Sequence, residues 1–399
     1  FAGILVVGHP GGWSPAIGGA VSDFWDSLAG RLSRAGRFDA GLFWGLVALG
    51  ITGTVMIYSA TRAALENAGY DPHFYLIRQG TFVAIGIVLM YVMSRVDYRR
   101  LEIVATPSYI ASLIALVGVF VLGKSALGAQ RWYDLKFVQV QPSEFTVLVF
   151  IVAFATYCQR RPEGLTMRDV ARLLLMTIVP VALIFKQPDL GTTIIIVLCV
   201  GAMMVIAGVP PRFLYTLTVL GTVGLVAGAS FNILKRYQVD RFVSFLNQNS
   251  TDPALQTLVY EVNNAKSAIG SGGWHGAGLF QGLQTVLGYV PEQRTDFIFT
   301  AIGEQLGFLG SLVVVALLAW VAFRMYRIAR QSKDTMGRLM GVGIFIFFAF
   351  SCFENIGMTM GIMPVTGIPL PLLSYGGSAA LVFYTAGGLL LSVSRRLSN

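Results

Sequence analysis

The sequence predicts an all-α polytopic membrane protein of about ten transmembrane helices, with a long ordered extracytoplasmic loop between helices 7 and 8. Three observations carry that expectation. Only 12% of the 399 residues are charged while 55% are hydrophobic, about half the charge of an ordinary soluble domain. Apolar runs of about 17–25 residues recur along the chain, and each can cross a hydrocarbon core of roughly 30 Å. The basic residues also alternate from one connection to the next, as membrane topology demands.

The apolar runs fall near 41–60, 77–95, 107–123, 142–158, 169–186, 190–207, 211–230, 297–327, 337–362 and 375–394. One set of alternate connections holds Arg95, Arg99 and Arg100, then Arg160, Arg161, Arg168 and Arg172, then Arg212, the stretch from Arg324 to Arg338, and finally Arg395 and Arg396. With Arg31, Arg34 and Arg37, that side carries about eighteen of the 29 Lys and Arg residues, against about six in the short loops opposite. Positive charge stays in the cytoplasm, so both termini are placed there. The net charge of +9 is then largely topology, aided by anionic lipid, rather than a nucleic-acid footprint.

Residues 1–40 read as a cytoplasmic N-terminal segment. Val21, Phe24, Trp25, Leu28 and Leu32 repeat at helical spacing, with Asp23, Asp26, Arg31 and Arg34 elsewhere on the wheel. That pattern suits an amphipathic helix in the membrane interface, and equally a cap packed on the bundle. Residues 41–399 form the transmembrane domain, whose long loop spans 231–296. The loop holds Lys235, Arg236 and Arg241, a turn signal from Asn247 to Pro253, and helical spacing at Leu255, Leu258, Val259 and Val262. Loops of this length without a domain of their own are usually functional or disordered; the helical spacing favours an ordered cover over a membrane cavity. The glycine run from Gly270 to Gly278 lacks the lysine-serine ending of a nucleotide loop. It reads either as turns or as close backbone approach to a sugar or phosphate. Cys158, Cys199 and Cys352 lie in or at the ends of apolar spans, unlike a disulfide framework or zinc site. His9, His73 and His275 show no metal-ligand spacing.

Ionisable residues within spans are costly and need partners or a wet cavity. Here they are Glu144, Lys186, Asp189, Glu304 and Glu354. Most gather near the outer membrane level, with Arg131, Arg241, Glu292, Arg294 and Asp296. An anionic headgroup carrying a lipid tail would arrive at that level. The bland alternative is ion pairing that fixes helix packing, and Glu144, Asp189 and Glu304 are assigned structural or supporting roles. Glu354 receives no role. Asp296 stands apart because it closes the long loop at a helix entrance facing the aqueous side.

Seven blocks occur in a characteristic order: Gly128-Ala-Gln-Arg-Trp132, Gln141-Pro-Ser-Glu144, Lys186-Gln-Pro-Asp-Leu-Gly-Thr192, Ala268-Ile-Gly-Ser-Gly-Gly273, Val290-Pro-Glu-Gln-Arg-Thr-Asp-Phe-Ile-Phe299, Asn355-Ile-Gly-Met358 and Gly367-Ile-Pro-Leu-Pro-Leu-Leu-Ser-Tyr-Gly-Gly-Ser378. From about residue 41 to the end, the chain resembles the SEDS family of peptidoglycan glycosyltransferases. The glutamine of the first block is more like the elongation branch than the division branch. The resemblance implies a ten-helix fold and polymerisation of lipid II into glycan strands. It also implies partnership with a class B penicillin-binding protein, a transpeptidase, and places the family's essential aspartate on Asp296. One departure is Val147, where the family often has a lysine three residues after the glutamate of the second block.

For the implied reaction, an acceptor 4-hydroxyl attacks the anomeric carbon of a lipid-diphosphate donor with inversion. A diphosphate leaves without protonation, so one base plus positive charge suffices. Asp296 is the expected general base. Arg131, Lys186 and Arg241 are the candidates to hold the diphosphate, with Glu292 and Arg294 grouped with them as substrate-binding. A divalent cation (Mg or Mn) could share that work, with Asp or Glu as ligand. The competing readings are a transporter of a lipid-linked precursor, suited by proline-broken spans at Pro364, Pro369 and Pro371, and a non-catalytic scaffold for the transpeptidase.

Overall fold

Asp39 starts the bundle. Its carboxylate accepts from the Leu42 amide at 2.8 Å, capping α1 (Ala40–Asn67), and holds Arg324 at 2.6 Å across the bundle. The computed structural model describes residues 38–397, apart from 127–128, 135–138, 162, 217–218, 220, 222–235, 249, 251 and 253–254. The expected amphipathic helix before residue 38 therefore lies outside the described residues, as do Gly128 and Lys235.

The helices that follow are α2 (Phe74–Arg95), α3 (Leu101–Leu122), α4 (Pro142–Gln159), α5 (Met167–Lys186), α6 (Leu190–Ile206), α7 (Arg236–Leu246), α8 (Gln256–Ser271), α9 (Leu283–Val286), α10 (Ile298–Gln331), α11 (Thr335–Thr359) and α12 (Gly377–Arg395). Seven of the described helices are long and apolar enough to cross a membrane: α1, α2, α3 with the turn before it, α4, α10, α11 and α12. α6 is apolar but only 17 residues long. α5 has 20 residues and opens on a capping box, in which Thr166 and Asp169 satisfy each other's backbone amides. The expected seventh span is helical over 211–216 and then falls mostly outside the described residues.

α12 is the hub. It lies along α2 and also touches α1, α4, α10 and α11. Small residues allow that closeness: a Cβ at Gly388 would sit 2.6 Å from the Met90 carbonyl oxygen. The core around it includes Leu46, Met90, Phe150, Ile302, Phe348 and Tyr384, all 1% exposed or less.

Two features were not expected. Between α3 and α4 the chain forms a small antiparallel sheet of β1 (Lys124–Ala126), β2 (Ala129–Asp134) and β3 (Gln139–Val140), in that order. Tyr133 pairs with Val140 and Asp134 with Gln139. The other feature is a break in α10 at Gly307, which has φ +65° and ψ −166°. A break exposes backbone groups that an apolar environment would leave unsatisfied. Here the glycine run meets them: Ala277 and Gly278 donate to the Glu304 and Gln305 carbonyls at 2.9 and 3.0 Å, while Phe308 and Leu309 donate to Gly273 and Trp274 at 2.9 and 3.2 Å. The close approach anticipated for these glycines is thus to a broken helix. A Cβ at Gly276 would lie 2.1 Å from the Gln305 carbonyl oxygen.

The prolines proposed as helix breakers lie in the connection between α11 and α12, not within spans. That connection turns back into the protein, burying Leu370, Leu372 and Leu373 to 2% exposure or less.

Candidate active site

A cavity of about 710 Å³ opens among α2, β2, α4, α6, α7, α11, α12 and the connections preceding α10 and α12. Its mouth is polar: Arg78, Arg131, Arg241, Glu292, Arg294 and Asp296 line it. Its deeper wall is apolar, with Phe82, Val147, Ile195, Phe347, Val382 and Phe383. Sequence separation hides this grouping, since it needs β2 to turn back over α5–α6 and α7 to cross toward the α11–α12 connection.

Asp296 sits two residues before α10, on a turn in which its amide donates to the Glu292 carbonyl at 3.1 Å. Asn355 of α11 holds that turn from behind, donating from Nδ2 to the carbonyls of Asp296 and Ile368, each at 2.8 Å. Gly367, at φ +78°, presents its α-carbon to the carboxylate, and a Cβ there would lie 3.1 Å from Asp296 Oδ2. Burial pushes the Asp296 carboxyl up to about 6, and the nearby Glu292 charge adds to the rise. Arg241, Arg131 and the Thr295 hydroxyl pull the other way. The loss of hydration outweighs the attraction of two guanidinium groups, a balance that composition does not reveal.

The other candidates divide by position. Arg131, carried on β2, donates from Nε to the Gln187 carbonyl at 2.9 Å and from Nη2 to the Pro188 carbonyl, tying the sheet to the α5–α6 junction at the cavity wall. Arg241 donates to the Thr366 carbonyl at 3.0 Å. Arg294 lies over the Tyr75 ring at 5.1 Å and pairs loosely with Glu292 at 3.6 Å. Lys186 is not brought to the cavity: it is exposed, with its ammonium 5.5 Å from the Phe120 ring centre. Its proximity to Asp189 in sequence misleads because α5 ends between them, sending the two side chains apart.

Asp189 lines the cavity with its carboxylate already engaged in hydrogen bonds. Its carboxylate accepts from Gln141 (2.9 Å), Ser143 (3.1 Å), and both the amide (3.2 Å) and hydroxyl (2.9 Å) of Thr192, and so caps α6. Glu304 latches the segment between α8 and α10, accepting from the Gln284 amide at 2.6 Å and from Thr285 N and Oγ1 at 3.0 and 2.6 Å. Glu144 lines the cavity with its Oε2 buried and without a hydrogen-bond partner. Val147, where a family lysine would stand one turn further along α4, lines the cavity as an apolar residue. Among the described residues, no three His, Cys, Asp or Glu side chains converge on a metal position.

Sequence reasoning missed Arg78, Tyr75 and Tyr375. Arg78 stacks on Phe74 at 4.3 Å, and Tyr75 meets Tyr375 edge-on at 4.9 Å. The signal was available as cations and aromatics at the N-terminal end of α2, but any helix end at a membrane interface carries aromatics.

Comparison with known proteins agrees with this geometry. The family model of the FtsW, RodA and SpoVE cell cycle proteins matches residues 40–399. Peptidoglycan glycosyltransferase MrdB of Escherichia coli is 34% identical over 370 residues, 93% of this chain and 95% of the relative. A probable peptidoglycan glycosyltransferase FtsW of Trichlorobacter lovleyi is 33% identical over 368 residues, 91% of this chain and 95% of the relative. A solved chain from a peptidoglycan synthase complex that coordinates polymerization and crosslinking superposes with a TM-score of 0.76 at 30% identity, covering 90% of this chain and 98% of that one.

Proposed function

The chain belongs to the FtsW/RodA/SpoVE family of cell cycle proteins, and from that premise we propose that it joins lipid II units into glycan strands with Asp296 as the base. It is a multi-pass membrane protein and a peptidoglycan glycosyltransferase. The observation that supports the mechanism is the cavity itself. A carboxyl of raised pKa and four guanidinium groups share a polar mouth, and the wall behind them is apolar.

In this reading the acceptor sugar's 4-hydroxyl gives its proton to Asp296 as its oxygen bonds to the donor's anomeric carbon. The bond from that carbon to the diphosphate breaks with inversion, and the diphosphate departs as an anion. Arg131 and Arg241 steady its oxygens, while Arg294 and Glu292 border the reacting groups. A divalent cation entering with the substrate would take Glu144 as its protein ligand, through the unpartnered Oε2, and its remaining ligands from phosphate and water. Held there, it would supply positive charge opposite the departing diphosphate.

Both termini lie in the cytoplasm on this proposal, and the cavity opens to the extracytoplasmic side, where a class B penicillin-binding protein crosslinks the product. The role is in cell elongation; relatives named MrdB and FtsW match almost equally well, so the glutamine of the Gly-Ala-Gln-Arg-Trp block, Gln130, carries that choice. A transporter would use a broken helix to coordinate its cargo. The break in α10 is instead closed by the glycine run, leaving those backbone groups spent. Incubating the purified protein with labelled lipid II, with and without Mg²⁺ or Mn²⁺, tests the proposal; glycan polymer is the expected product. Translocation of the substrate without polymer would favour the transporter.

A further inference from the structure

Near Asp296 lies a second acid that the reaction does not use. Glu354 is 1% exposed and does not line the cavity. Its Oε1 accepts a hydrogen bond from the Thr366 hydroxyl, and its Oε2 is buried without a partner. A carboxyl oxygen buried without a partner costs stability, so its presence calls for something that depends on it.

What depends on it is the turn Thr366-Gly367-Ile368. Glu354 holds the Thr366 side chain, Arg241 holds the Thr366 carbonyl at 3.0 Å, and Asn355, the next residue of α11, holds the Ile368 carbonyl at 2.8 Å. Gly367, at the centre of these three restraints, forms the surface against which Asp296 Oδ2 rests. The same Asn355 amide grips the Asp296 carbonyl. One turn of α11 thus fixes both the base and the wall beside it.

We propose that Glu354 is a positioning residue for Asp296, acting through the Thr366 hydroxyl and the Gly367 turn. The inference rests on Asp296 being the base. Without the Glu354–Thr366 bond the turn relaxes, the carboxylate leaves its line to the acceptor hydroxyl, and turnover falls while substrate affinity, set at the arginines, stays.

The test is steady-state polymerisation of labelled lipid II by purified Glu354→Gln, Glu354→Ala, Thr366→Val and the Glu354→Ala/Thr366→Val double variant, with thermal unfolding of each recorded. Glu354→Gln keeps an oxygen that accepts from Thr366 and should hold kcat within about threefold of wild type, whereas Glu354→Ala and Thr366→Val should each lose about 10- to 100-fold in kcat with little change in KM. The double variant should be no slower than the slower single variant, because both remove one bond. Wild-type kcat in Glu354→Ala overturns the inference. So does a Glu354→Gln enzyme as slow as Glu354→Ala, or additive losses in the double variant. If Glu354→Ala does not fold, the glutamine and valine variants decide. An active Asp296→Asn enzyme would remove the base assignment and this inference together; an inactive Asp296→Asn with unaffected Glu354 and Thr366 variants removes the inference alone.

Discussion

Asp296→Asn separates chemistry from folding because the structure predicts opposite signs for the two. The side chain keeps its size but loses the ability to take a proton, so polymerisation should fall at least about 10²-fold, the lower end of what a general base supplies. Stability moves the other way. The folded-state pKa of about 6 lies above the ordinary value of 3.8, so the folded protein disfavours the charged form. That penalty is absent below the unfolded pKa, grows as pH rises from there through about 6, and is constant above. Two pKa units correspond to about 3 kcal/mol as a ceiling, reduced by water reaching the half-buried side chain through the cavity mouth. Asparagine carries no such penalty, so its thermal midpoint at pH 7.5 should equal or exceed that of wild type. Polymer formation resolved on gels, beside unfolding in the same detergent, reads both quantities. Wild-type turnover by the variant would refute the base assignment; a variant that unfolds several degrees lower would refute the electrostatic account of this site.

Four further outcomes follow from the same structure. The kcat/KM of wild type should fall on acidification through about pH 6 as Asp296 takes up a proton, and Glu292→Gln should move that limb to lower pH, since removing a neighbouring negative charge favours the carboxylate; a limb unmoved in a pH series would count against their coupling. Arg241→Ala should weaken lipid II binding several-fold, about 1 kcal/mol or more for a charge-assisted contact, whereas Lys186→Ala, outside the cavity, should leave affinity unchanged in the same binding assay. Asn355→Ala strands the Asp296 and Ile368 carbonyls, which should cost about 1–3 kcal/mol of stability and lower turnover, as thermal unfolding and polymerisation would show. Gly307→Ala places a Cβ 2.2 Å from the Gly276 amide nitrogen at a positive φ, so the folded yield should drop sharply; near-normal yield and melting would show that the glycine run yields there.

Much of the fold was legible in the sequence because hydrophobic length and basic alternation are direct consequences of the bilayer. The helix ends were less so. α1 continues through polar residues as far as Asn67, beyond the predicted end near 60, because a helix satisfies its own backbone in water as well as in lipid, while hydropathy reports only the apolar part. The break in α10 was invisible for the opposite reason: Leu306, Gly307 and Phe308 remain apolar through it, and the compensating groups lie some thirty residues earlier in the chain. At the site, Asp296, Arg131 and Arg241 stand out as charges gathered at one membrane level beside the costly ionisable residues of the spans. Lys186 stood out equally and lies elsewhere, since cost alone does not show which way a side chain turns at a helix end. Asn355 was visible within a motif, but its two-carbonyl grip depends on contacts that only the folded chain creates.

The charge balance of the cavity bears on how the site discriminates between resting and loaded states. Four arginines and five carboxylates line it, so its field does not simply pull anions inward. Asp189 is already committed to hydrogen bonds within α4 and α6, and Glu292 faces Arg294. What remains near Asp296 is desolvation, seconded by the Glu292 charge, prevailing over the pull of two guanidinium groups. On the proposed mechanism, a diphosphate bound between Arg131 and Arg241 moves that balance further the same way. It occupies the cations that now favour the Asp296 carboxylate, adds negative charge of its own, and displaces water, and all three effects raise the affinity of Asp296 for a proton. On the proposed mechanism, Asp296 therefore becomes a stronger base when the donor is seated and a weaker one once the diphosphate departs, which links proton removal from the acceptor to the presence of a leaving group.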